Sequence, residues 1–391
     1  MDSGIAICNN YPMTHATSEP LADLFFAGKR HPYYIVVPPY KHSSAGVVTQ
    51  YMLCHLLNRL GYPAFLIIRP NLRGIGGYRS FAPHPHLITP LLTPEIARLH
   101  FAEGLTPITL YSETTRGNPL RAPFVARYVL YYSGLLGGDA SYAADEYLIA
   151  FSEAIKHSLP RCDAVISFPV ADPREWSAGR SSARSGRYYY GEKYIRTFGG
   201  KIPEAIEKTA IRITRDQPDS LTRPELIQAL KSAEYIYIFE DTAMIYEAVL
   251  AGCIPIIMKT PHFTELLGAK ENGTNGIAMD NTPEEIERAR ATQGIYIEQY
   301  IEWMEKGLEQ TRSFAEDTQR RAGAVPYEQP LTPFLSAKLR RKIDGIFGAP
   351  VVERAGLVGR LALAAFRIMR EQGWSALLRQ VRKFVAKKRN R

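Results

Sequence analysis

Residues 235–258 read YIYIFEDTAMIYEAVLAGCIPIIM: an apolar run, an acidic break, a helical stretch and a second apolar run. Two short apolar segments joined by a helix-length crossover form a βαβ unit with parallel strands. Ligands of such units bind beyond the carboxyl ends of the strands, where helix N-termini present free N–H groups. Glu240, Asp241 and Thr242 stand at that edge, and Asp241 or Thr242 is placed to cap the helix. Glu247 lies between one and two turns in, roughly 7 Å further along the axis. A diphosphate at the helix start would leave the Glu247 carboxylate near a ribose, whose adjacent hydroxyls it can accept.

Working outward, the same grammar recurs. PYYIVVPPY (32–40) is a buried strand stopped by a Pro pair, and KHSSAG is a small-residue loop. VVTQYMLCHLLNRLGYP then carries Val48, Met52, Leu53, Leu56, Leu57 and Leu60 as a helical stripe ended by Gly61. AFLIIRP (64–70) is the next strand, so the chain opens as a doubly wound parallel sheet does. Strand-like runs follow at 107–113, 127–134, 147–153 and 163–170, with RGNPLRAP and SGLLGGDAS as loops between them. SAGRSSARSGR (177–187) cannot build a core and marks a domain boundary. A second α/β pattern restarts at RYYYGEKYIRTF (187–198), with a strand at AIRITRD and a helix over 220–234. Thr282, Glu284 and Glu285 open a capped acidic helix, and a long amphipathic helix follows. The expected division is an N-terminal domain over 1–180, a second domain over 187–325, a connecting segment over 326–350 and a tail over 351–391. No short-period repeat is present.

The chain has 391 residues, enough for two cores, with 46% apolar and 22% charged residues, as in ordinary globular proteins. Its net charge of +9 is unevenly placed. Residues 351–391 hold 11 of the 48 Lys/Arg and only 2 of the 39 Asp/Glu, which leaves 1–350 balanced at 37 of each. A neutral body argues against a nucleic-acid-binding face and for a basic appendage with its own partner. Cys8, Cys54, Cys162 and Cys253 form no CxxC pair, so neither a disulfide scaffold nor a zinc site is expected. Cys54 and Cys253 fall in apolar patterns and read as core residues. The leader MDSGIAICNNYPMTHA lacks a basic n-region, and no run of about 18 apolar residues follows anywhere. A reducing cytoplasm fits these features.

EDTAMIYEAVLAGCIPIIM, followed by TELLGAKENGTNGIAMDNTPEEIERA, resembles the carboxyl-terminal domain of GT-B-fold glycosyltransferases. Those enzymes carry an acidic loop, an E-A-x-x-x-G-x-P segment before an apolar strand, a loop with a Glu, then N-G-apolar and a helix starting P-E-E. The likeness is specific over 190–290 and extends at fold level over most of 33–325. It implies an α/β, GT-B-like fold: two Rossmann-like doubly wound domains facing a cleft, here with a basic amphipathic helical tail. It implies a nucleotide-diphosphate sugar as donor, bound by the second domain, and an acceptor bound by the first. On this resemblance Glu247 holds the ribose and the amides of Asp241, Thr242 and Ala243 hold the diphosphate. Lys193 in GEKY, or Arg215 in ITRD, neutralises the leaving group. The large retaining families space their paired glutamates one residue further apart than Glu240 and Glu247, which have six between them, so Glu240's role stays open.

Glycosyl transfer also needs an oriented acceptor and, in inverting enzymes, a general base. Candidates in the first domain are Asp139 in LLGGD, Glu113 in LYSE and His42. Asp139 ranks first, since a Gly-rich loop lets a carboxylate approach substrate. Gly46 and His262 are expected at the cleft. No Asp-x-Asp pair or His/Cys cluster is seen, so no metal or other cofactor is expected. Two other readings use the same fold: a nucleotide-sugar epimerase, and a non-catalytic, membrane-docked nucleotide-sugar-binding protein.

In the tail, Trp374, Leu377, Leu378, Val381, Phe384 and Val385 form one apolar stripe, with Arg379, Arg382, Lys383 and Lys387 mainly off it. A basic helix of this kind lies in the interface of an anionic membrane. The family likeness and the tail together suggest a lipid-linked saccharide acceptor in bacterial surface polysaccharide synthesis, such as lipopolysaccharide. The expected location is peripheral, on the inner face of the cytoplasmic membrane.

Overall fold

The computed structural model describes residues 28–68, 85–177, 179, 184–215, 217, 220–328 and 331. Cys8, the whole 351–391 tail and most of the connecting segment lie outside them.

The first sheet runs β1 (Tyr33–Val37), β2 (Ala64–Ile68), β3 (Ile108–Ser112), β4 (Phe124–Val129), β5 (Tyr147–Ala150) and β6 (Ala164–Val165). Every pairing is parallel and the spatial order is β2-β1-β3-β4-β5-β6. Strand β1, YYIVV, is buried throughout because it is paired on both edges and covered on both faces. Helices α1 (Ala45–Arg59) and α2 (Pro94–Ala102) make the first two crossovers, and α1 gives way to Gly61 at φ +82°. The next two crossovers, 113–123 and 130–146, carry no helix. Their hydrogen bonds converge instead on Arg127 of β4, a fully buried guanidinium. It donates to the carbonyls of Thr115 (2.6 Å) and Gly117 (2.9 Å) and takes Glu146 bidentately at 2.8 and 3.0 Å.

After α3 (Glu153–His157) and α4 (Pro173–Ser177) the second sheet comprises β7 (Gly186–Tyr190), β8 (Ile211–Arg212), β9 (Ala233–Ile238) and β10 (Ile254–Ile257). It is parallel, in the order β10-β9-β7-β8. Its crossovers hold α5 (Glu192–Arg196), α6 (Glu204–Glu207), α7 (Arg223–Ser232) and α8 (Met244–Ala251). Then come α9 (Ala269–Asn272), α10 (Pro283–Thr292) and the long α11 (Tyr296–Gly323). Thr282 caps α10 through Glu285 N–H, as its sequence predicts. The strand-like NGIAM segment contributes a single bridge, Ile256 to Ala278. Cys54 and Cys253 are free and fully buried.

Packing relocates the domain boundary. Phe168 belongs to the first core, whereas Ala171 and Trp176 already belong to the second, ahead of the 177–187 stretch. Helix α11 crosses back: Tyr296, Tyr300 and Trp303 pack in the second core, and Phe314, Ala315 and Ala322 in the first. Both crossings meet at Gly307, where a Cβ would lie 2.5 Å from the Ser167 carbonyl oxygen and from Phe168 Cβ. Trp303 Nε1 donates to Ser167 Oγ (3.0 Å) and Ser167 N–H donates to Gln310 (2.9 Å), tying the two strands of the junction.

Candidate functional site

Each sheet has one place where the strand order reverses: between β1 and β3 in the first, and between β7 and β9 in the second. Crevices form beyond the carboxyl ends of strands at such reversals. Here both open on one cavity of about 870 Å³.

On the first-domain side, β1 leads through Pro38 and the 40–44 loop into α1. The amides of Ala45, Gly46 and Val47 hydrogen-bond no other described residue. Gly46 lines the cavity, and a Cβ there would sit 3.4 Å from Leu130. Strand β3 ends at Glu113, which also lines the cavity and is only 4% exposed. Its Oε2 accepts Leu130 N–H at 3.1 Å, and burial pushes its carboxyl up to about 7. Asp139 and His42 do not line this cavity. The Asp139 carboxylate accepts Gly117 N–H at 2.6 Å and fastens one helix-free crossover to the other. Next to it Gly138, at φ +82°, packs so closely that a Cβ would fall 1.9 Å from the Glu113 carbonyl oxygen. The glycines of LLGGD thus bring backbone against backbone. They do not deliver Asp139 to the cleft.

On the second-domain side, β7 runs through Gly191 into α5, and β9 ends at Phe239 and Glu240. Glu240 is 4% exposed and accepts the amides of Lys193 and Tyr194, so it caps α5 from the neighbouring strand. Burial raises its pKa, with the Lys193 charge opposing. Lys193 Nζ donates to the Asp241 carbonyl at 2.8 Å and lies 4.8 Å from the ring centroid of Tyr131, on the first-domain wall. Helix α8 starts at Met244, later than the sequence pattern suggests. Asp241 does not cap it, because its Oδ1 accepts Leu267 N–H at 3.2 Å. Thr242 Oγ1 accepts Met244 N–H at 3.4 Å. The amides of Thr242 and Ala243 donate to no other described residue, and both residues line the cavity beside Lys193. Two adjacent N–H groups at a helix start, next to an ammonium, make an anion-binding corner.

Glu247, 6% exposed, projects from α8 into an adjoining pocket of about 160 Å³, which His42 and Arg215 also line. Its carboxylate pairs with Arg215 at 3.3 Å, and burial raises its pKa against that charge. Arg215 also donates to the Ser43 carbonyl at 2.9 Å and so spans the two domains. His262 stands apart from both cavities, its ring stacked on Phe198 at 4.0 Å.

Gly46, Glu113, Lys193, Arg215, Glu240, Asp241 and Thr242 therefore share one cleft, with Glu247 and His42 next door. Sequence reasoning missed Arg196, which lines the cleft and hydrogen-bonds no other described residue. Its signal was available, since Lys193 and Arg196 stand three apart and share one helix face. Tyr131 was also missed, and an aromatic after a strand carries no such signal. Among the described residues no helix is long and apolar enough to cross a membrane.

No protein-family model and no curated protein matches the chain. Among solved structures it is similar to a glycosyltransferase from Rickettsia africae ESF-5, at 12% identity and TM-score 0.42 over 73% of this chain and 99% of that one. It is similar to WaaG, a glycosyltransferase involved in lipopolysaccharide biosynthesis, at 9% identity and TM-score 0.40 over 75% and 99%. The glycosyltransferase SnogD from Streptomyces nogalater aligns at 13% identity and TM-score 0.37 over 75% and 100%. The GT-B-like fold rests on the strand orders and the shared cleft rather than on these likenesses.

Proposed function

We propose that this chain is a glycosyltransferase that moves a sugar from a nucleoside-diphosphate donor, held by the second domain, to an acceptor held by the first. The observation that carries this reading is the corner formed by the unpartnered Thr242 and Ala243 amides beside Lys193, in a cleft shared by both sheet reversals. The amides and Lys193 take the diphosphate, with Arg196 at the rim. Glu247 takes the ribose hydroxyls, sharing them with Arg215. A thermal-shift screen against UDP, GDP, CMP and dTDP sugars tests the donor site. One nucleotide class is expected to stabilise the protein by about 2.7 kcal/mol at a hundredfold excess over its Kd. No stabilisation by any of them overturns the reading.

Transfer proceeds without a divalent cation, because fixed cations and amides supply the neutralising charge. Turnover is expected to survive EDTA; loss restored by magnesium or manganese would refute this. The acceptor is a lipid-linked saccharide of a bacterial surface polysaccharide, and the protein works on the inner face of the cytoplasmic membrane. Support comes from the 351–391 sequence, whose Lys/Arg residues contribute about 1 kcal/mol each near an anionic surface. Deleting 351–391 is expected to keep nucleotide binding but abolish sedimentation with anionic vesicles. Salt-insensitive vesicle binding that survives the deletion would rule the tail out.

A further inference from the structure

We propose that Glu113 takes the proton of the acceptor hydroxyl, so that the sugar is transferred in one displacement with inversion at its anomeric carbon. This rests on the donor site proposed above. The placement is the first argument. An in-line displacement needs the incoming oxygen and the leaving phosphate on opposite sides of the reacting carbon. Glu113 stands at the β3 end of the first sheet, whereas Lys193 and the Thr242–Ala243 amides stand at the reversal of the second, in the same cleft.

The second argument is what the other carboxylates of the cleft are doing. Glu240 is committed to the amides of Lys193 and Tyr194, Glu192 to Arg212 at 3.3 Å, and Asp241 to Leu267 N–H. All three belong to the donor domain. A retaining route through Glu240 would break the cap that positions Lys193. Among the described residues Glu113 is the cleft carboxylate of the acceptor domain, and its Oε1 hydrogen-bonds no other described residue.

The third argument is rigidity. Leu130 N–H fixes Oε2, and Gly138 presses on the Glu113 carbonyl with no room for a side chain. Catalytic geometry of this kind is held by the surrounding shell rather than by the residue itself. Burial keeps the carboxyl near neutrality, where a base both accepts and releases protons readily. In the step, the acceptor O–H proton passes to Glu113 and its oxygen bonds the anomeric carbon. The bond from that carbon to the phosphate oxygen breaks, and its electron pair leaves with the nucleoside diphosphate. Glu113 then returns the proton to water.

The test uses the full chain, the nucleoside-diphosphate sugar selected by the thermal-shift screen, and water as acceptor. Proton NMR identifies the anomer released first, before mutarotation, and the expected anomer is inverted relative to the donor. Glu113→Gln is expected to lower kcat by about 10²–10⁴-fold, to leave the nucleoside-diphosphate Kd within twofold, and to lose the acid limb of the pH profile near 7. The unchanged Kd shows that the variant is folded. Release of the retained anomer, turnover of Glu113→Gln within a few-fold of the parent, or donor binding with no release of nucleoside diphosphate would overturn the assignment. Failure of the parent protein to bind any nucleoside diphosphate would instead overturn the donor site.

Discussion

The two sheets solve the same problem with different materials. In the second, every crossover carries a helix, and helix starts supply the N–H groups that line its side of the cleft. In the first, two crossovers are bare loops wrapped around the buried Arg127–Glu146 pair. Helices make a fixed, electropositive corner suited to a diphosphate. Loops hung on one guanidinium leave the opposite wall to be shaped by side chains, among them Glu113, Tyr131 and Leu136. The proposed division of labour, anion binding on one wall and proton handling on the other, follows that difference.

The contrast breaks most visibly at Arg127. Arg127→Met leaves Glu146 buried without its partner and is expected to cost about 3–5 kcal/mol in urea unfolding. Adding Glu146→Leu should recover much of that, and a single-variant loss below about 1 kcal/mol would mean that the pair does not organise the loops. On the opposite wall, Lys193→Ala should lower kcat by roughly 10²–10³-fold, equivalent to about 2.7–4 kcal/mol, with stability little changed. Near-normal turnover would remove Lys193 from the leaving-group site. Glu247→Ala should weaken nucleotide binding by about 1.5–3 kcal/mol in calorimetry, and unchanged affinity in a folded variant would refute the ribose assignment.

A further test sharpens the comparison through pH. Glu113 titrates near 7 in the folded protein against 4.5 ordinarily, so the native state holds the proton more tightly than the unfolded chain. Its contribution to stability is therefore full below about 4.5 and falls as pH rises to about 7, by at most about 1.4 kcal/mol per unit. If Glu113 is the proposed base, activity is expected to run the other way, rising through the same window as the carboxylate forms. Glu113→Gln should flatten both trends. A parent protein whose stability rises steadily from pH 4.5 to 7, with the variant doing the same, would place the carboxyl in its ordinary range.

The fold was legible wherever buried runs alternate with helical stripes. The 235–258 unit, the α1 stripe and the Thr282 cap each follow from local pattern and stand as expected. The Arg127 hub was not legible, because Glu146 lies 19 residues away and nothing local marks the pair. LLGGD misled by chemistry: glycine permits close approach, and what approaches is the Glu113 backbone rather than a substrate. The handover at Phe168 was hidden for a similar reason. Composition finds the Ser/Gly/Arg-rich stretch, whereas domain membership is set by which core a side chain reaches.

Helix α11 has a consequence for how the molecule comes apart. It lends aromatic side chains to one core at its start and to the other at its end, so neither sheet is complete without it. A chain severed in the 177–187 stretch would leave the first half exposing the surface that Phe314 and Ala315 should cover. The second half would carry those residues with nothing to bury them against. The two domains are therefore expected to melt as one cooperative unit, and calorimetry should record a single endotherm in which each half's survival is conditional on the other's.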